Sequence, residues 1–315
     1  MYFPYIRGRL YDLLALQIIL QKIELNDNLI PIIEPVRLTS TLINTMRTYT
    51  KRNHKLCIIC NPEVGTFKEE LESDDPKNQK NSEIFFDLLK SQLLIKTCII
   101  QDNCQPDIEK YEKIYNMKRK DWYVINRNKH NYQTYLELFT SQQPKLAFIP
   151  DGSFFRRKIQ IDKILLENKF TKHKNNSDYL KTDDEFFSED HCFYKFEGYK
   201  GFGDYSIIGN SYSDSGFAPY AVAIHMVYQK DDGTLWIHHF VSDSNSDIKN
   251  PAKKFHEANT KLNDWINSGK IKQTIASEEF SRIYKDGSYP GLGTVKKLSI
   301  MHHIEIMNNI LNGER

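Results

Sequence analysis

Six short apolar runs, each closing on or just before a polar or turn-forming residue, constrain this chain more than any other feature. They are Tyr2 to Ile6 (YFPYI), Leu29 to Glu34 (LIPIIE), Lys55 to Asn61 (KLCIICN), Lys96 to Gln101 (KTCIIQ), Asp121 to Asn126 (DWYVIN) and Lys145 to Pro150 (KLAFIP). Between them apolar residues recur at helical spacing, as at Leu10, Leu13, Leu14 and Ile18, then Leu42, Met46 and Tyr49. The runs restart roughly every 25 residues, with one longer step of 41 from Lys55 to Lys96 that holds the polar insert Glu69–Asn81. Strand and helix therefore alternate as a repeating unit.

Runs of Ile, Leu, Val and Cys without polar alternation are expected of strands covered on both faces, as parallel strands are. An open doubly wound sheet and a closed barrel both satisfy this. A nucleotide-binding open sheet usually carries a glycine-rich phosphate loop after its first strand, and here that position reads IRGRLYD. The even repetition favours an α/β fold of the TIM-like (β/α)8 barrel type, with insertions and a β-hairpin near strands seven and eight. Barrels of 250 residues and more are commonly one domain, so residues 1–315 are read as a single barrel domain. Within it, residues 171–200 read as a charged insertion. Residues 219–241 read as a β-hairpin, because Asp232-Gly233 joins two β-prone runs. Strand seven is expected from GDYSIIG and strand eight from one arm of that hairpin. Residues 251–315 read as C-terminal helices, Pro251–Asn267 and Thr294–Leu311, the latter with Thr294 as its N-cap.

Forty-three Lys and Arg against 41 Asp and Glu leave a formal charge of +2, too even to imply nucleic-acid binding from global charge. The first residues lack the basic segment and cleavage site of a secretory leader, and no stretch approaches about 18 uninterrupted apolar residues. Five scattered cysteines fit a reducing compartment. A cytoplasmic protein without membrane association is expected.

In a (β/α)8 barrel the functional face lies at the C-terminal ends of the strands. The residues there are Arg7, Arg9, Glu34, Asn61, Gln101 with Asp102, Asn126 with Arg127, and Asp151, with Asn210 and one of His225, His238 or His239 as additions from the last strands. Arg7, Arg9, Asn61, Asp102 and Arg127 are the candidate ligand-binding set, the arginines suited to a phosphate or carboxylate. Glu34 and Asp151 are the candidate catalytic acid and base, or holders of a hard cation. Equally, these charges can pair with one another at the barrel mouth.

Other motifs carry less. Cys57 and Cys60 have CxxC spacing, but positions i and i+3 of a strand face opposite sides, so buried, unlinked thiols without metal are expected. His238-His239 and His302-His303 are adjacent pairs that diverge in the same way, and no metal site is assigned. Pro290 to Lys297 (PGLGTVKK) lacks a complete phosphate-loop pattern and reads as a capped loop. Lys118-Arg119-Lys120 and Arg156-Arg157-Lys158 lie near aromatics and read as helix ends or as a nucleic-acid contact.

The opening YFPYIRGRLYDLLAL followed by IPIIEPV, with the later GFGDYS, resembles the beta-protein family and its close relatives, prokaryotic proteins of phages, mobile genetic elements and defence islands. The likeness is clearest over the first 35 or so residues. It implies a barrel, a part in phage–host conflict and a nuclease-like protein partner; it transfers no catalytic residue and no cofactor. It leads to a basic residue of either kind at position 7, where this chain has Arg, whose planar fork contacts anions differently from an ammonium. Two functions follow: a barrel enzyme such as a hydrolase, or ligand-responsive effector, of antiphage defence acting on a phosphate-bearing small molecule, nucleotide or nucleic acid; or a non-catalytic recognition or scaffold subunit that senses a phage protein or recruits a nuclease. A metabolic barrel using nicotinamide or flavin lacks any fingerprint here.

Overall fold

The structure is a computed structural model that describes residues 1–213 and 219–314. Its first half alternates as the apolar runs require: β1 (Tyr2–Arg7), α1 (Leu10–Lys22), β2 (Ile32–Glu34), α2 (Ser40–Lys51), β3 (Leu56–Ile59), α3 (Phe67–Leu71), α4 (Pro76–Leu88), β4 (Leu94–Ile99), α5 (Gln105–Tyr115), β5 (Tyr123–Ile125), α6 (Tyr132–Phe139), β6 (Leu146–Ile149), α7 (Ser153–Lys158) and β7 (Lys163–Glu167). Then follow β8 (Asp184–Ser188), α8 (Asp190–Phe193), β9 (Gly201–Asp204), β10 (Ala223–Gln229), β11 (Leu235–Val241), α9 (Pro251–Asn267), α10 (Ile275–Lys285) and α11 (Leu292–Leu311). Helix starts follow local chemistry. The Thr39 hydroxyl accepts from the Leu42 amide to begin α2, and Asp75 caps α4 just ahead of Pro76, so the polar insert is itself largely helical.

Strands β1 to β7 and then β9 close a barrel, all neighbours parallel. This is the (β/α)8 arrangement, reached by a different last quarter from the one expected. The seventh strand is Lys163–Glu167 and the eighth is Gly201–Asp204. The hairpin arms β10 and β11 instead pair antiparallel, with β8 on the far side of β11, in a separate three-stranded sheet. Only three apolar residues between two charges mark β7, and it begins 18 residues after Lys145, well short of the preceding period.

The chain divides into two compact units. One comprises residues 1–13, 27–167 and 193–204 and contains the barrel; the other comprises residues 14–26, 168–192 and 205–314, with the three-stranded sheet and the helices after it. In the barrel, Phe3 and Phe148 meet edge to face at 5.0 Å between centroids, and Tyr123 approaches Phe148 at 6.3 Å. Large rings from β1, β5 and β6 thus fill the middle. Facing them, β9 contributes glycine. A Cβ at Gly203 would meet the Phe3 carbonyl oxygen at 2.3 Å, so closure against β1 requires a residue without one.

In the second unit α11 begins at Leu292 behind Gly291, which puts Thr294 in the first turn and not at the cap. A further helix, α10, separates α9 from α11. Buried His302 joins the sheet to α10: its Nε2 donates to the Val227 carbonyl at 2.8 Å, and Nδ1 accepts from the Thr274 hydroxyl at 2.8 Å. That pattern specifies the neutral ring. Burial pushes His302 down to about 4 and the adjacent His303 to about 3.

Gly203→Ala is expected to destabilise the protein by about 1–3 kcal/mol, because the backbone of β1 must move to admit the methyl group. A lowered urea midpoint checks this, and an unchanged one contradicts the closure. The histidines set a pH dependence. Unfolded, they take up a proton near pH 6.5; folded, only near 4 or below, so the unfolded state binds more protons between those values. Stability should therefore fall as pH drops from 6.5 towards 4. His302→Gln should flatten that slope, measured as urea midpoints at pH 7 and pH 5.

Candidate functional site

The barrel mouth is built from the way β1 and β2 end. These strands are parallel and in register, with Arg7 opposite Glu34. Side chains two apart share a face, so Tyr5 and Arg7 point the same way, into the barrel beside Glu34. Gly8 lets the exit of β1 press on that of β2: its amide donates to the Glu34 carbonyl at 2.8 Å, and a Cβ there would stand 3.1 Å from that oxygen and from the Pro35 Cα. This accounts for glycine between two arginines. The backbone of Arg9 starts the next element, its carbonyl accepting from the Leu13 amide at the beginning of α1.

Glu34 is fully buried and its carboxylate is surrounded by donors. Arg7 Nη1 and the Tyr5 hydroxyl, the latter at 2.5 Å, both donate to Oε2. Arg127 Nη2 lies 3.5 Å from the same oxygen, and the Glu63 amide donates to Oε1 at 2.9 Å. Arg127 Nη2 also donates to the Tyr5 oxygen, and its Nη1 pairs with Glu63. The two guanidinium carbons stand 5.7 and 5.1 Å from the Tyr5 ring centre, a cation–π arrangement from two directions. Two arginines and two glutamates thus interlock around one tyrosine. The cluster has an inside and an outside: Glu34 and Arg7 are buried, whereas the side chains of Arg127 and Glu63 are 23% and 33% exposed.

Of the residues expected to form a site, Arg7, Glu34 and Arg127 come together. Asn61 is buried beside β4 and serves the sheet: its side-chain amide donates to the Ile99 carbonyl at 2.8 Å and accepts from the Ile99 amide at 2.9 Å. Asp102 is exposed. Asp151 is exposed on the turn after β6, 3.8 Å from Arg156, with its backbone amide donating to Glu167. Neither aspartate is among the partners of Glu34, and the carboxylate that does join the cluster is Glu63. Position on a strand identifies Arg7 and Glu34 from sequence; Tyr5 is readable only through the two-residue alternation with Arg7, and Glu63 lies in a loop with no local signal.

No family model, curated protein or solved structure matches this chain.

The remaining candidates resolve locally. The hairpin histidines belong to the second unit's sheet and not to barrel strands: His225 Nδ1 meets His239 Nδ1 at 2.7 Å, and His238 stacks on Trp265 at 3.9 Å. His303 bonds the Ser206 hydroxyl at 3.1 Å while its neighbour His302 turns to Val227. Among the described residues no group of three or more His, Cys, Asp or Glu is arranged to hold a metal ion. Cys57 and Cys60 are buried and free, and burial raises the Cys57 thiol to about 12, far from the thiolate a metal or nucleophile needs. Arg119 pairs with Glu112 at 3.1 Å, and Arg156-Arg157-Lys158 forms the last turn of α7, where cations suit the helix dipole.

Glu34→Gln should cost about 3–5 kcal/mol, since it weakens a buried acceptor and strands the Arg7 guanidinium. Glu63→Gln, at the exposed edge, should cost under about 1 kcal/mol. Urea unfolding of the two variants side by side checks the inside–outside division; equal losses would contradict it.

Proposed function

We propose that this chain is a component of prokaryotic antiphage defence whose barrel mouth is a ligand-responsive site for a phosphate-bearing molecule, a nucleotide or the end of a nucleic acid, and that it works with a nuclease-like partner. The observation that carries the ligand reading is Arg127: a guanidinium whose Nη2 meets Tyr5 and Glu34 while its Nη1 pairs with Glu63, a carboxylate on a loop that solvent reaches. A phosphate offers the same bidentate acceptor geometry with more charge. It can displace the Glu63 carboxylate from Arg127, which removes one of two ties of that residue and leaves the other, from its backbone amide to Glu34. Ligand binding is then read out as the exchange of the Glu63 carboxylate on Arg127. The resemblance of the opening residues supports the biological setting.

Responsiveness is favoured over hydrolysis by the state of Glu34. Both its oxygens already accept hydrogen bonds from fixed donors, so it orients the arginines and is not disposed to shuttle protons. In a (β/α)8 barrel the strand exits are where such a site belongs.

Arg7→Lys tests this. Lysine keeps the charge opposite Glu34 but loses the planar fork, so the protein should stay folded with near-wild-type melting. Stabilisation by millimolar phosphate or nucleotide in a thermal-shift measurement, and protection of a host in a plaque assay, should both be lost. Full protection by a stably folded Arg7→Lys protein would overturn the proposal and leave the cluster as a structural brace.

A further inference from the structure

The opposite end of the barrel carries a groove of about 1000 Å³, lined by residues at the N-terminal ends of β3 to β6 and the C-terminal ends of α4 and α5. Its charge is one-sided. Lys55, Lys90, Lys96 and Lys145 line it, and Asp121 is the one carboxylate among the lining residues. Lys90 pairs with Asp87 at 3.0 Å, whereas the ammonium groups of Lys55, Lys96 and Lys145 make no ion pair among the described residues.

Lysines near helix C-termini have an ordinary role, since each helix end carries about half a negative charge. Two such ends, Asp121 and the Asp87 paired with Lys90 amount to about three negative charges against four ammonium groups, which leaves a surplus of about one. Lys96 is the least explained by that role. It sits on β4, partly buried, with its Nζ 4.7 Å from the centre of the Tyr115 ring, and burial lowers its pKa. A cation held out of water without a carboxylate costs stability, and an anionic occupant would repay it. The lysines are also spread along a track. Lys55 precedes β3, Lys96 lies on β4 and Lys145 precedes β6, so the positions span three strand spacings, about 14 Å at 4.8 Å each.

We propose that this groove binds single-stranded nucleic acid, its phosphates running along Lys55, Lys96 and Lys145. A row of separated cations suits a linear polyanion, and a groove whose cations track the backbone is how proteins grip single strands without sequence preference. The site is distinct from the Arg7–Glu34 mouth and does not depend on the reading given to it.

Fluorescence anisotropy with labelled dT15 and U15 on the full chain, between 50 and 200 mM salt, tests it. Binding should be saturable at 50 mM salt, with a log–log salt slope near −2, as expected for about three phosphates neutralised on a single strand. Lys55→Glu with Lys145→Glu should weaken binding at least tenfold and reduce the slope by about 1.4, and Lys96→Met should reduce it by about 0.7. Lys77→Glu, on an exposed lysine outside the groove, should change neither. Circular dichroism and melting confirm that each variant is folded. Absence of saturable binding at 50 mM salt, or unchanged binding by the folded double variant, would overturn the proposal. So would inorganic triphosphate binding as tightly as dT15, which would make the occupant a small polyphosphate.

Discussion

A carboxylate removed from water must find its partners within the protein, and Glu34 imposes that requirement on the whole barrel mouth. Its oxygens collect Arg7 from the neighbouring strand, Tyr5 from one step further back, Arg127 from beyond β5 and the Glu63 amide from the loop after β3. These segments converge only if the strands are parallel, in register and closed into a ring. An unpaired charge here would cost several kcal/mol, so the cluster discriminates the closed barrel from arrangements that separate its members. It also leaves the mouth buried at its base, at Glu34 and Arg7, and reached by solvent at its rim, at Arg127 and Glu63.

Polar residues stand at most strand exits, and the structure shows that they do different work. Asn61 continues the hydrogen bonding between β3 and β4 past the point where regular pairing ends. Asp204, at the end of β9, accepts the Tyr2 hydroxyl at 3.0 Å and joins the last strand to the first; burial, and then that carboxylate, hold the Tyr2 phenol well above its ordinary range. Glu167 accepts the Asp151 amide across neighbouring exits. A polar terminus is thus what a barrel strand needs when its pairing stops, whether or not a ligand follows. Arg127 is tied both to the buried Glu34 and to Glu63, a group solvent can reach.

The last quarter of the chain shows where local pattern loses its authority. AVAIHMVY and TLWIHHFV are the longest β-prone runs, and Asp232-Gly233 joins them as a hairpin, yet a hairpin's arms are antiparallel and an all-parallel ring cannot admit both. The ring takes instead KILLE, too short to stand out, and GFGD, whose two glycines suit it poorly as a strand in isolation. Their fitness is visible only beside β1, where Gly203 meets the Phe3 backbone.

By itself the sequence determined the alternation of strand and helix, the six parallel strands that open the barrel, the burial of Cys57 and Cys60, and the adjacency of Arg7 and Glu34. Each of these follows from period and neighbour order, properties carried by residues close in the chain. Tertiary structure decided the identity of the seventh and eighth strands, the separate sheet of the hairpin, and the joining of Arg127, Glu63 and Tyr5 to Glu34 in place of Asp151. It also decided the gathering of Lys55, Lys96 and Lys145 along one groove. Those outcomes depend on which distant groups the closed ring brings within a few ångströms of one another, and on the cost of leaving any of them buried without a partner.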